Sequence, residues 1–74
     1  MHNNILIEAC DRPEILERIF RVIRHRGFKI NKIESEFKQN KYEIKLVISS
    51  ERLVSNLITQ LEKLYDVTKV TLID

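Results

Sequence analysis

The chain holds one cysteine, one proline and one glycine in 74 residues. Cys10 has no partner for an internal disulfide, so no oxidised scaffold is implied, and a reducing cytoplasm suits it. It reads as a small core or strand residue rather than a nucleophile. With no second cysteine nearby, and with the two histidines at the N-terminus (His2) and on a basic segment (His25), no metal-ligand spacing exists. One glycine cannot build a Gly-rich phosphate loop. No apolar run approaches the ~20 residues that cross a bilayer. Met1-His2-Asn3-Asn4 lacks the basic region, apolar stretch and cleavage site of a secretory signal. The expectation is a soluble, cytoplasmic, non-catalytic single domain over residues 1–74, with no membrane or nucleic-acid partner.

The excess of one sign of charge is small overall and concentrated locally. A net charge of +2 does not imply a polyanion. Yet Arg18, Arg21, Arg24, Arg26, Lys29 and Lys32, with His25, form a stretch without an acid. It reads first as a solvated helix face, then as a docking surface for an acidic protein, and last as a nucleic-acid contact.

The rare residues also mark an element. Pro13 and Gly27 bracket an amphipathic helix, with Pro13 in its first turn and Gly27 at the left-handed C′ position after Arg26. Ile15, Leu16, Ile19, Phe20, Val22 and Ile23 form its apolar stripe, and Phe28 can fold back on the last turn. Asp11 with Glu14 three residues on resembles a capping box.

Residues 4–10 read as a first strand, with Ile5, Ile7 and Ala9 on one face and Leu6, Glu8 and Cys10 on the other. Residues 28–37 form a second, whose change of phase between Phe28/Ile30 and Ile33/Phe37 calls for a bulge near Asn31-Lys32. A turn at Lys38–Lys41, with Asn40 at positive φ, leads to a third strand, Lys41–Ser49, with Tyr42, Ile44, Leu46 and Ile48 facing inward. Ser49 or Ser50 is expected to cap a second helix with Leu53, Val54, Leu57, Ile58, Leu61, Leu64 and Tyr65 as its buried stripe. Residues 67–73 are a β-branched fourth strand.

The order βαββαβ with right-handed crossovers gives the α+β ferredoxin-like fold, a four-stranded antiparallel sheet with two helices on one face. Strand two falls at a sheet edge, and Lys29, Lys32, Glu34 and Glu36 on it discourage random pairing but permit a specific one. The fold binds RNA through aromatics on its central strands, whereas strand one offers Ile, Leu and Ile and strand three only Tyr42.

Asp11-Arg12-Pro13-Glu14-Ile15-Leu16 resembles the Asp-Arg-Pro-Gly-x-Leu opening of ACT domains, small amino-acid-sensing modules. The similarity extends through Leu16-Glu17-Arg18 and Arg24-His25-Arg26-Gly27-Phe28. There the chain resembles the first helix of the short regulatory subunits of acetolactate (acetohydroxyacid) synthase, isozyme II type. Ser55–Val70, containing Gln60-Leu61-x-Lys63-Leu64-x-Asp66-Val67, resembles their second helix and last strand. The resemblance implies a non-catalytic subunit that docks on a large catalytic subunit and activates it. That partner carries thiamine diphosphate, Mg and FAD, and it feeds valine, leucine and isoleucine synthesis.

In related small subunits valine binds at a homodimer interface between the loop before helix one and strand two. Carried onto this chain, the effector positions are Asp11, Arg12, Pro13, Glu14, Ile15, Lys29 and Ile30. Glu14 replaces a glycine and Lys29 an asparagine of the family pattern. The expected consequence is an occluded or rewired site, with Glu14 and Lys29 pairing across the dimer and activation without valine feedback. The plainer alternative leaves Glu14 facing water as a good first-turn residue. Arg18, Arg21, Arg24 and His25 are the candidate docking residues, together with the uncovered sheet face. The chain ends at Asp74, which implies that the second domain of longer small subunits is missing. Two other readings stay open, an amino-acid-binding ACT module of a different enzyme or sensor, and an RNA-binding domain.

Overall fold

A computed structural model of the chain describes residues 2–73. Six elements follow in order: β1 His2–Cys10, α1 Ile15–His25, β2 Lys29–Lys38, β3 Lys41–Ser49, α2 Val54–Glu62 and β4 Val67–Leu72. The strands make one antiparallel sheet in the order β2-β3-β1-β4, the expected ferredoxin-like topology.

Alternation in the two central strands decides which face is covered. Ile5, Ile7 and Ala9 of β1 lie across from Leu46, Ile44 and Tyr42 of β3, and all but Tyr42 are buried. Ile15, Ile19 and Ile23 of α1 and Leu57 and Leu61 of α2 close over them at helical spacing. The opposite face has no helix, and there Leu6 and Val47 are half-buried beside charged neighbours.

The C-terminus of α1 is built as its sequence dictates. Gly27 adopts φ +87, its N–H donates to the Arg24 carbonyl at 3.1 Å, and the Phe28 N–H reaches the Ile23 carbonyl at 3.1 Å. This pair of bonds is the Schellman motif, and it drops Phe28 into the core at 5% exposure. A Cβ on Gly27 would stand 2.6 Å from Nε of Arg52, so a side chain there meets both backbone strain and a neighbour. The β2–β3 hairpin turns on Gln39 (φ 51) and Asn40 (φ 64), a two-residue loop with both residues left-handed. The bulge falls at Asn31, because the register jumps between Ile30 and Lys32. It restores Ile33 and Phe37 to the parity of Ile30.

Both helix N-termini differ from expectation. α1 starts at Ile15, not Pro13, and no side-chain capping bond forms, so Asp11 and Glu14 make no capping box. The chain turns tightly first. The Ile15 N–H donates to the Arg12 carbonyl at 3.2 Å, with Pro13 second and Glu14 third at φ +67. This is the pattern of a type II turn.

α2 starts at Val54 with Leu53 as its cap residue. Ser49 still belongs to β3. The Ser50 hydroxyl accepts a bond from the Arg52 N–H at 2.9 Å, which holds a bend rather than the helix. Leu53 and Tyr65 are 71% and 92% exposed, outside the stripe assigned to them, because the helix spans only Val54–Glu62.

Candidate functional site

The segment between β1 and α1 is the natural place to begin. Asp11, Arg12, Pro13 and Glu14 are all exposed, and Ile15 is buried as the first core residue of α1. The Glu14 carbonyl accepts the Arg18 N–H at 3.0 Å, so the helix ladder begins from this residue. Its left-handed backbone is the conformation that a glycine adopts without a Cβ penalty.

A residue that the sequence did not single out fastens this loop. Asp66, between α2 and β4, is the buried charged residue of the core region at 6% exposure. Oδ1 of its carboxylate lies 3.5 Å from Nε of Arg12, and Oδ2 lies 3.4 Å from Nη1 of Arg18. The Cys10 N–H donates to the Asp66 carbonyl at 2.8 Å. One residue thus ties the end of β1, the loop and the first turns of α1 to the start of β4. The available signal was its place in Leu64-x-Asp66-Val67, just before a strand. Cys10, half-buried, ends β1 beside this tie.

Lys29 and Ile30 are not with the loop in one chain. Lys29 pairs with Ser49, which pairs with His2, whereas the loop leaves the sheet after Cys10, whose partner is Lys41. The two sets stand at opposite ends of the strands, about 27 Å apart at ~3.4 Å per residue. Among the described residues neither Glu14 nor Lys29 forms an ion pair within the chain.

The basic stretch divides. Arg18 contacts the Asp66 carboxylate while its side chain stays 51% exposed, so this candidate docking residue also helps to fasten the loop. Arg21, Arg24 and His25 are exposed and, with Glu17 and Phe20, line a shallow open depression on α1. A second depression begins at Phe20 and Arg24 and runs down to Phe28, Lys29, Ile30 and Ile33 at the β2 edge.

β2 is the open edge, and residues 31–38 are all exposed. Ile33 (46% exposed) and Phe37 (52%) lie on the helix-side parity but stay half-exposed. The Phe37 ring meets Tyr42 at a centroid distance of 5.1 Å. Even-spaced charges occupy the other face. Nζ of Lys32 is 3.0 Å from Oε1 of Glu34, and this hydrogen-bonded ammonium holds the Glu34 carboxyl below its ordinary value. Among the described residues no group of three His, Cys, Asp or Glu side chains is placed to hold a metal ion, and no helix is long and apolar enough to cross a membrane.

The family model for the ACT domain matches residues 11–70. The acetolactate synthase isozyme 2 small subunit of Escherichia coli K12 is 40% identical over 75 residues, covering 97% of this chain and 85% of that protein. The same values hold for the Shigella flexneri subunit. Among solved structures, the acetolactate synthase small subunit of Thermotoga maritima superposes with TM-score 0.87 at 19% identity, over all of this chain and 48% of that one. The ACT domain from the GTP pyrophosphokinase of Chlorobium tepidum gives 0.86 at 21% identity, over 99% of this chain and 97% of that one. Domain match and near-full-length likeness agree with the topology and with the Arg-Pro turn, and the chain belongs to the ACT-domain family of acetolactate synthase small subunits.

Proposed function

We propose that this chain is the non-catalytic regulatory subunit of an acetolactate synthase. It docks on the large catalytic subunit and raises its activity in branched-chain amino acid synthesis, in the cytoplasm, and it does so without valine feedback. The observation that carries the role is the 40% identity to isozyme 2 small subunits across 97% of the chain. The catalytic partner brings thiamine diphosphate, Mg and FAD. This chain contributes a docking surface and works as a homodimer through the β2 edge.

The insensitivity to valine rests on Glu14. In the turn before α1 it holds φ +67, where a glycine would leave the α1 N-terminus open to an approaching carboxylate. Here the position carries a β-carbon and a negative charge. Activation follows from population shift, since a partner that binds the competent form of the catalytic subunit more tightly favours it by that difference in affinity.

Mixing this chain with an isozyme 2 catalytic subunit and measuring acetolactate formation tests the role, and an unchanged rate at saturating small subunit refutes it. Titrating valine into the small subunit by calorimetry tests the second part. No heat of binding at millimolar valine is expected, and micromolar binding refutes the occlusion.

A further inference from the structure

We infer that the outer face of α2, from Leu53 to Tyr65, is the surface that seats an uncharged, apolar-centred patch of the catalytic subunit. This rests on the regulatory-subunit reading above and adds the surface and the chemistry of what it meets.

The sequence of α2 departs from the rest of the chain. Charged residues make up 32% of the chain, yet Leu53–Leu61 contains none, the longest such run in it. Burial does not account for the run. Leu57 and Leu61 reach the core, but Ser55, Asn56 and Thr59 are exposed. Thr59 stands three residues from Asn56 and four from Ser55, so the three share one side of the helix. The exposed side of α1 is the contrast, with Glu17, Arg18, Arg21 and Arg24 on it. Charge is depleted at the centre of protein contacts, because a charge there must give up its water. On α2 it returns only at the rim. Glu62 and Lys63 follow the run, and Arg52 before it lies against Gly27.

Each end of this face presents a large apolar residue that the fold does not use. Leu53 and Tyr65 are the most exposed large hydrophobic residues among the described residues. Leu53 occupies the N-cap position, where a serine or aspartate would bond the first N–H groups, and it forms no capping bond. Its side chain thus contributes neither a cap nor packing. Tyr65 is carried on a fixed backbone. The Leu64 N–H donates to the Leu61 carbonyl and the Val67 N–H to the Leu64 carbonyl, each at 3.1 Å, and Asp66 beside it is buried against Arg12 and Arg18. An aromatic side chain on a rigid backbone loses little freedom when it docks, which suits an interface anchor. A residue that breaks a local stability rule with no return inside the folded chain marks a function.

Position selects the occupant. α2 packs along β4 and α1 along β2, and β4 and β2 are opposite edges of the sheet. A homodimer through β2 therefore leaves the α2 face of each copy free for one catalytic subunit. From Leu53 to Tyr65 is about 18 Å at ~1.5 Å per residue. A face that short is less than the ~800 Å² that each side of a stable interface buries. It supplies the uncharged centre, and the basic side of α1, which packs beside α2, supplies a charged rim for the same partner.

Three variants of the full chain test this: Leu53→Ser, Thr59→Glu and Tyr65→Ser. Leu53→Ser provides a cap and Thr59→Glu a better helix former, so neither is expected to lower the thermal midpoint. Each is mixed with an isozyme 2 catalytic subunit, and the small-subunit concentration giving half-maximal acetolactate formation is measured. A rise of about tenfold or more is expected for Thr59→Glu and Tyr65→Ser, and about threefold for Leu53→Ser, with sedimentation of the variants alone unchanged from wild type. A wild-type chain that does not accelerate acetolactate formation overturns the regulatory-subunit reading and this face with it. Wild-type activation with half-maximal concentrations for Thr59→Glu and Tyr65→Ser within about twofold of wild type overturns this face alone. A rise matched by weaker self-association in sedimentation assigns α2 to a contact between copies and overturns it too.

Discussion

Two side chains determine how the loop before α1 is held, and they act in opposite directions. Glu14 takes a left-handed backbone that costs about 1–2 kcal/mol for a residue with a Cβ. Glu14→Gly removes that strain and loses part of the gain to the freer unfolded chain, so a net stabilisation of about 0.5–1 kcal/mol is expected from urea denaturation. The same variant removes the β-carbon and the charge from the turn, and under the proposed occlusion calorimetry should show valine binding to it and none to the wild-type chain. Asp66 stabilises. Asp66→Asn leaves Arg12 and Arg18 without their carboxylate, and a loss of about 1–2 kcal/mol is expected, toward the low end for charge-assisted contacts because both guanidinium groups are half-exposed. Removing either arginine alone should cost less, since Asp66 keeps the other. The difference between these residues in legibility is physical. Pro13 and the residue after it announce a turn locally, whereas the partners of Asp66 come from 48 and 54 positions away and no local pattern encodes them.

At the scale of elements, strands and the end of α1 were readable and helix starts were not. Period-two alternation fixed β1 and β3 because one face is buried and the other is not, and the parity break in β2 located its bulge at Asn31. Gly27 fixed the end of α1 because few residues adopt φ +87. The starts failed for a shared reason: capping residues resemble turn residues. Asp11 and Ser50 bond or face water within bends, and each helix begins only where its apolar stripe meets the sheet. α2 consequently has Leu53 as its N-cap residue, with an extended backbone (φ −70, ψ 124) and no side-chain capping bond to its first N–H groups. That geometry suits a serine or aspartate. Leu53→Ser is expected to stabilise the chain by about 1 kcal/mol in thermal unfolding, with no loss of packing at a position already 71% exposed.

The whole molecule is a small core wrapped on one side, with its remaining surfaces left for partners. If the β2 edge is taken by a second copy, as proposed, the catalytic subunit docks on another surface. Arg21 and His25 lie on the outer part of α1, while Arg24 is shared with the depression that reaches the β2 edge. Docking and activation are separable quantities here. Affinity sets how much small subunit is needed, and the plateau reports how strongly the competent form is preferred, with tenfold activation requiring at least ~1.4 kcal/mol of preference. Arg21→Glu with Arg24→Glu reverses charge on a surface expected to meet an acidic patch of the large subunit. The concentration of small subunit giving half-maximal acetolactate formation should rise about tenfold, with the plateau unchanged once the site is filled. Sedimentation of the same variant identifies any part of that shift caused by a weaker homodimer. An unaltered half-maximal concentration would remove the basic face of α1 from the docking surface and leave the uncovered sheet, with Leu6 and Val47 on its two central strands, to take that role.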